Sequence, residues 1–154
     1  MKIFLGMLCV LYTSLSFANI ENINEKQLVG GWSCISAFTT DTLKIVEVSD
    51  AFINVDGSLS QNGNVYYKDH HDEATLKYEM VSNWQISNNK IKFSNLKFNK
   101  FYMKNQDFNK RYDITNALLK LENKEDYYTI LKLTASELLM SQAGSNVQEN
   151  CKKI

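Results

Sequence analysis

Residues 75–94 read TLKYEMVSNWQISNNKIKFS. Leu76, Tyr78, Met80, Ser82, Trp84 and Ile86 alternate with Thr75, Lys77, Glu79, Val81, Asn83 and Gln85. Successive side chains of an extended chain point to opposite faces, so one largely apolar and one largely polar set predicts a strand over 75–86. Ser87-Asn88-Asn89 supply turn chemistry, and Ile91 and Phe93 resume the alternation, which makes a hairpin. After Ser94 the phase slips, with Leu96, Phe98 and Phe101 apolar. A bulge or the start of a new strand explains the slip.

Strand patterns recur outward from this hairpin. Trp32–Thr39 is one candidate, and the long run Leu43–Val55 is another, closed by Asp56-Gly57. Ser58–Lys68 contains Asn62-Gly63, a second tight-turn signal. Tyr127–Leu133 and Leu138–Ser141 flank Thr134-Ala135-Ser136-Glu137 as a terminal hairpin. One segment departs from period two: Ile114, Ala117, Leu118 and Leu121 fall on one helix face, which predicts a short helix over 113–124 with Asp113 at its N-cap. The sum is an all-β chain of about eight strands with at most one or two short helices. An up-and-down antiparallel β-barrel accommodates it and removes exposed edges; a two-sheet sandwich is the alternative.

The counts agree with long ladders. There is no Pro, so every strand residue keeps its backbone donor, and 17 Asn supply turns. The 154 residues are a one-domain length. Seventeen basic against seventeen acidic groups exclude a chain made mainly to coat nucleic acid or an acidic membrane. No nucleic-acid partner is expected.

Residues 1–18, MKIFLGMLCVLYTSLSFA, form a short basic start, an apolar run and a small-residue end at Ser16-Phe17-Ala18. That is the pattern of a cleaved signal peptide, and it predicts a periplasmic or secreted protein with no integral membrane anchor. The apolar run is shorter than the ~20 residues of a spanning helix, and Cys9 lacks the small residue a lipidation site places before it. Removing 18 of 154 residues leaves 136, the domain 19–154, with two cysteines, Cys34 and Cys151. An even pair in an exported chain is expected to form a disulfide. No Asn-x-Ser/Thr site occurs, which favours a bacterial periplasm.

Leu28-Val29-Gly30-Gly31-Trp32 has the form Leu-x-Gly-x-Trp at the start of the first strand. It resembles the opening of lipocalins and the wider calycin group. Phe52–Gly57, Trp84-Gln85-Ile86, Tyr128–Thr134 with Leu138-Leu139, and Cys151-Lys152 are looser matches to small bacterial exported lipocalin-like domains, so the resemblance spans 28–152. It implies that Gly30 turns the chain into the barrel and that Trp32 closes its base. It also implies a non-enzymatic protein that binds a small apolar or amphipathic ligand inside the barrel.

Trp32, Phe38, Tyr78, Met80, Trp84 and Phe93 are the candidates to line such a pocket, or else to fill a packed core. His70-His71-Asp72 are neighbours in a polar run and read as a solvated loop, so no metal site is expected. Lys90, Lys92, Lys97, Lys100, Lys104, Lys110 and Arg111 interleave with aromatics over 90–111, as strands with lysines outward would. No phosphate loop, dinucleotide fingerprint or nucleophile motif is present, so neither catalysis nor a cofactor is expected. The second reading is an envelope protein-protein interaction module, an inhibitor, immunity or accessory factor. Its barrel would be packed, and its partner would be met on loops 56–74 and 99–113.

Overall fold

A computed structural model describes residues 23–154; the proposed leader, residues 1–18, lies outside the described residues. A single turn, α1 (Glu25–Leu28), precedes β1 (Gly30–Thr39), β2 (Lys44–Ile53), β3 (Ser58–Lys68), β4 (Glu73–Ser87) and β5 (Lys90–Met103). Two short helices, α2 (Gln106–Tyr112) and α3 (Ile114–Leu119), interrupt the strands before β6 (Asp126–Leu133), β7 (Glu137–Gln142) and β8 (Gln148–Lys153). The eight strands pair in chain order, all antiparallel, and β8 returns to β1 to close a barrel. The up-and-down barrel expectation therefore holds, and the sandwich does not. Closure gives every strand a paired neighbour on each side, with β5 beyond Phe93 and β6 beyond Thr129 left out of their mutual ladder.

The run at 75–86 is the core of β4, and the turn at Asn88-Asn89 carries Asn88 at φ 56°. The phase slip after Ser94 is a bulge within one continuous strand. Two register shifts on the β4–β5 ladder give β5 two extra residues, and Asn95, at φ 53°, sits in the shift between Ser94 and Lys97. Their effect is specific: Phe93, Phe98 and Phe101 lie opposite Trp84, Met80 and Tyr78 and share their inward face, although their own spacing is uneven.

Asn62-Gly63 is not a turn. β3 runs straight through it, with Gly63 between Ser49 on β2 and Tyr78 on β4. The glycine answers a packing demand from outside its own segment: a Cβ there would lie 2.8 Å from both Ser49 Cβ and the Val48 carbonyl oxygen. The eighth strand comes instead from the tail, residues 148–153. The helix expected at 113–124 is shorter, Ile114–Leu119, and α2 precedes it unannounced. Asp113 makes no cap hydrogen bond to α3. It is the left-handed residue at φ 51° that ends α2.

The base is sealed by the Leu-x-Gly-x-Trp stretch. Leu28 and Trp32 are both 0% exposed, and Trp32 Nε1 donates to the Leu28 carbonyl at 2.7 Å. Lys153 Nζ lies 4.2 Å from the centre of the Trp32 ring and donates to the carbonyls of Gln27 and Val29. A cation over an indole face with two carbonyl acceptors fixes the last strand to the entry of the first. Gly30, at φ 120°, makes the turn that a side chain would oppose.

The far end is closed differently. β6 pairs with β5 only over Asp126–Thr129 against Lys90–Phe93, so most of β5 runs on without a strand neighbour on that side. The segment from 104 to 125 fills the gap. Phe108 and Ile114 pack on Tyr67, Leu76 and Met103, while Asn123 N donates to Leu96 and Phe98 N to Glu122. Asp69 ties the β3–β4 turn to α2, accepting from Arg111, Tyr112 and the backbone of His71 and Asp72. These partners hold the Asp69 carboxyl well below the usual carboxylate range, the Tyr112 hydrogen bond first among them. Residues 56–74 are thus mainly strand, with turns at 56–57 and 69–72, and 99–113 is strand, then helix; neither is the free loop anticipated for a partner. Among the described residues no helix is long and apolar enough to cross a membrane.

Candidate functional site

A cavity of about 320 Å³ lies inside the barrel between the packed base and the helical cover. Trp32, Phe38, Tyr78, Met80 and Phe93 border it, as does the Cys34–Cys151 disulfide. Trp84 does not. It is buried in the base cluster, where its Nε1 donates to the Asn54 carbonyl at 3.0 Å. Phe38 sits toward the rim and keeps partial exposure. His70 and His71 are exposed in the turn held by Asp69, away from the cavity lining.

Most of the wall is apolar, and one rung of the barrel carries two acids into it. Across β7, β8, β1, β2 and β3 the register aligns Met140, Glu149, Ser36, Glu47 and Val65. Two carboxylates therefore flank Ser36, with backbones about 10 Å apart at ordinary strand spacing. Both border the cavity. Period two explains why: Glu149 is two residues before inward Cys151, and Glu47 is two after Ile45 and four before Ala51, which also border it.

The two carboxylates differ in their partners. Glu47 accepts from the Tyr78 hydroxyl and from Gln61 Nε2, which also reaches Ser49 Oγ at 2.9 Å and Tyr78 Oη at 2.8 Å. Glu149 has no hydrogen-bond or ion-pair partner among the described residues. One of its oxygens lies within 4.8 Å of both disulfide sulfurs, which in the oxidised state are neutral and carry no thiolate for a metal. A third acid at the wall, Asp126, accepts from Gln142 Nε2 and from the backbone of Tyr127. Ser82 Oγ, another lining group, is buried without a partner among the described residues.

The electrostatics follow from the enclosure. Burial, with the negative charges of Glu47 and Asp126, pushes the Glu149 carboxyl up to about 7. Burial also raises Glu47, partly offset by the Tyr78 hydrogen bond. Burial and the Glu47 charge push Tyr67 up to about 12. Tyr78 is raised by burial and Glu47, and Tyr128 by burial and Glu149, so both stay protonated donors. Among the described residues no Lys, Arg or His borders the cavity.

The sequence reading found the aromatic wall and missed the acids. Leu43–Val55 is apolar on both faces, so its phase was unreadable and Glu47 could not be assigned inward. Glu149 had a signal: if Cys151 bonds Cys34 inside the barrel, the residue two before it faces the same way.

Fold and site together define a closed eight-stranded antiparallel barrel with an acid-bearing internal cavity. No protein-family model matches the chain, and no curated protein matches it in sequence.

Proposed function

We propose that this is an exported, non-enzymatic, lipocalin-like protein that binds a small amphipathic ligand inside its barrel. The observation that carries the reading is the 320 Å³ cavity, walled mainly by aromatic and aliphatic side chains with polar groups set among them. Ligand pockets have that make-up, and this volume is at the small end of their usual range of roughly 300–1,000 Å³. The Leu28–Trp32 entry, the sealed base and the Cys34–Cys151 bridge support the lipocalin-like assignment. The leader-like residues 1–18 and the disulfide support export to an oxidising compartment.

The neutral probe N-phenyl-1-naphthylamine tests the binding. Its fluorescence should rise saturably with one equivalent of protein, and Met80→Trp, which fills the cavity from β4, should abolish the rise while the far-ultraviolet spectrum stays unchanged. A wild-type protein that gives no saturable rise would refute the carrier reading. Expression of the full chain, followed by N-terminal sequencing of the periplasmic fraction, tests the export; Asn19 is the residue expected first.

A further inference from the structure

The wall of the cavity carries an electrostatic debt that the side chains of the described residues leave open. Among the described residues three carboxyl groups border it, Glu47, Asp126 and Glu149, and no cation does. Glu47 is held by Tyr78 and Gln61, and Asp126 by Gln142. Glu149 faces Ser36 and Met140 across its two ladders and meets no donor among the described residues. A buried carboxylate without a partner is costly, and the usual resolutions are protonation or a counter-charge. A strand position with nothing but a packing role would be filled better by an apolar residue, as Met140 and Val65 fill the same rung.

We infer that the ligand of this barrel is a small organic cation, a primary or secondary ammonium on an apolar body, whose charged nitrogen pairs with Glu149. This deepens the carrier reading and rests on it. The apolar body has the aromatic side of the cavity to occupy. Phe93 stands edge-on to Tyr128 with ring centres 5.6 Å apart, and Tyr78 edge-on to Phe98 at 6.2 Å. Such rings also attract a cation through their faces. The ammonium donates to Glu149 and needs acceptors only, which is what the rung Glu149–Ser36–Glu47 supplies. A carboxylate head group has the opposite fit: it would enter a field of three acids with no cation among the described residues to meet it.

The pairing is pH-dependent. The titratable groups that border the cavity with Glu149 are Glu47 on β2, Tyr67 on β3, Tyr78 on β4, and Asp126 and Tyr128 on β6. Among the described residues β1, β5, β7 and the helices contribute none that titrates, since Cys34 is in the disulfide. The tyrosines stay neutral throughout the range that matters. Glu149, titrating near neutrality, holds the cation above that point and releases it below, when its carboxyl takes a proton instead.

Isothermal titration calorimetry of 2-phenylethylammonium, the uncharged 2-phenylethanol and the anionic 3-phenylpropionate, at pH 8 and pH 5.5, tests this. At pH 8 the ammonium should bind at least about tenfold tighter than the alcohol, and the anion most weakly of the three. At pH 5.5 the ammonium should lose about tenfold or more while the alcohol is unchanged. Glu149→Gln should bring ammonium and alcohol to within about threefold of each other at pH 8 without weakening the alcohol. Glu47→Gln, whose charge Tyr78 and Gln61 already satisfy, should keep a clear ammonium preference. If the alcohol and the naphthylamine bind but the ammonium shows no preference, or Glu149→Gln keeps it in full, the cation inference falls and the carrier reading stands. If neither the alcohol nor the naphthylamine binds, the carrier reading falls and the cation inference with it. The wild-type pH arm decides the matter even if Glu149→Gln does not fold.

Discussion

Tyr78 crosses β3 over Gly63. The ring starts on β4, passes the one inward position of β3 that has no side chain, and delivers its hydroxyl to Glu47 on β2. A Cβ at Gly63 would sit 3.0 Å from Tyr78 Oη, in addition to its clashes with Ser49 and the Val48 carbonyl. A gap in one strand thus lets a hydrogen bond form between strands two apart.

Gly63→Ala should therefore displace Tyr78 rather than merely crowd it. The expected loss is about 1–3 kcal/mol of unfolding free energy, the range for overpacked interiors. Urea unfolding measures it. A change under about 0.5 kcal/mol would mean that the neighbours yield freely and that Tyr78 needs no gap.

The seam between β1 and β8 is the closure of the barrel, and Cys34 and Cys151 stand directly opposite each other in it. Their separation in sequence is 117 residues. Loop-closure entropy for so long a loop gives about 4–5 kcal/mol, with measured values often smaller. The Cys34→Ser/Cys151→Ser double variant should lose roughly 2–5 kcal/mol in urea unfolding, and reductant should lower the wild type toward it. A loss below about 1 kcal/mol would show that the backbone ladder closes the barrel unaided.

How much of this was legible in the residues depended on whether one face of a strand differs from the other. Over 75–86 the outward set carries Lys77, Glu79, Asn83 and Gln85, so phase and hairpin could be read together. Over 43–55 the outward set includes Val46, Val48 and Phe52, so inward and outward looked alike and Glu47 was hidden. Asn62-Gly63 misled because a glycine reports backbone freedom and lack of bulk equally, and here the second reason, set by Tyr78 and Ser49, is non-local. α2 escaped notice because its seven residues carry only Phe108 and Tyr112 on an apolar face, too short a stretch to establish a period. The aromatic pocket candidates followed directly from alternation; only Trp84 was carried below the cavity by its place on the strand.

At the base, Trp32 contributes both bulk and a donor. Trp32→Phe keeps most of the ring but leaves the Leu28 carbonyl without its 2.7 Å partner and weakens the face under Lys153. The expected cost is about 2–4 kcal/mol, from lost volume and an unsatisfied buried acceptor together. Trp32→Ala should cost more, about 3–5 kcal/mol. Equilibrium unfolding followed by circular dichroism compares them; equal losses for the two would remove the argument for a distinct polar contribution.

The strongest pH prediction concerns the folded barrel without ligand. Glu149 has its carboxyl raised to about 7 when folded, against an ordinary value of 4.5 in the open chain. Between those values the folded state binds more protons than the unfolded one, so stability falls as pH rises. The contribution is fully present below about 4.5 and lost by the time pH passes 7. A shift of this size corresponds to roughly 2–3 kcal/mol across that window. Glu47 is raised too and acts in the same direction. Asp69 acts in the opposite sense, because its depressed folded value favours the ionised, folded form; its effect is confined to more acidic solution, below the ordinary range of a free aspartate. Urea unfolding at pH 5 and pH 8 should thus find the wild type more stable at pH 5, an inversion of the usual loss of stability in acid. Glu149→Gln should flatten most of that slope and stabilise the protein at pH 8, since it removes a charge that has no partner among the described residues. A wild type that is more stable at pH 8 than at pH 5, or a Glu149→Gln protein with an unchanged slope, would mean that water or a counter-ion already satisfies this carboxylate in the empty barrel.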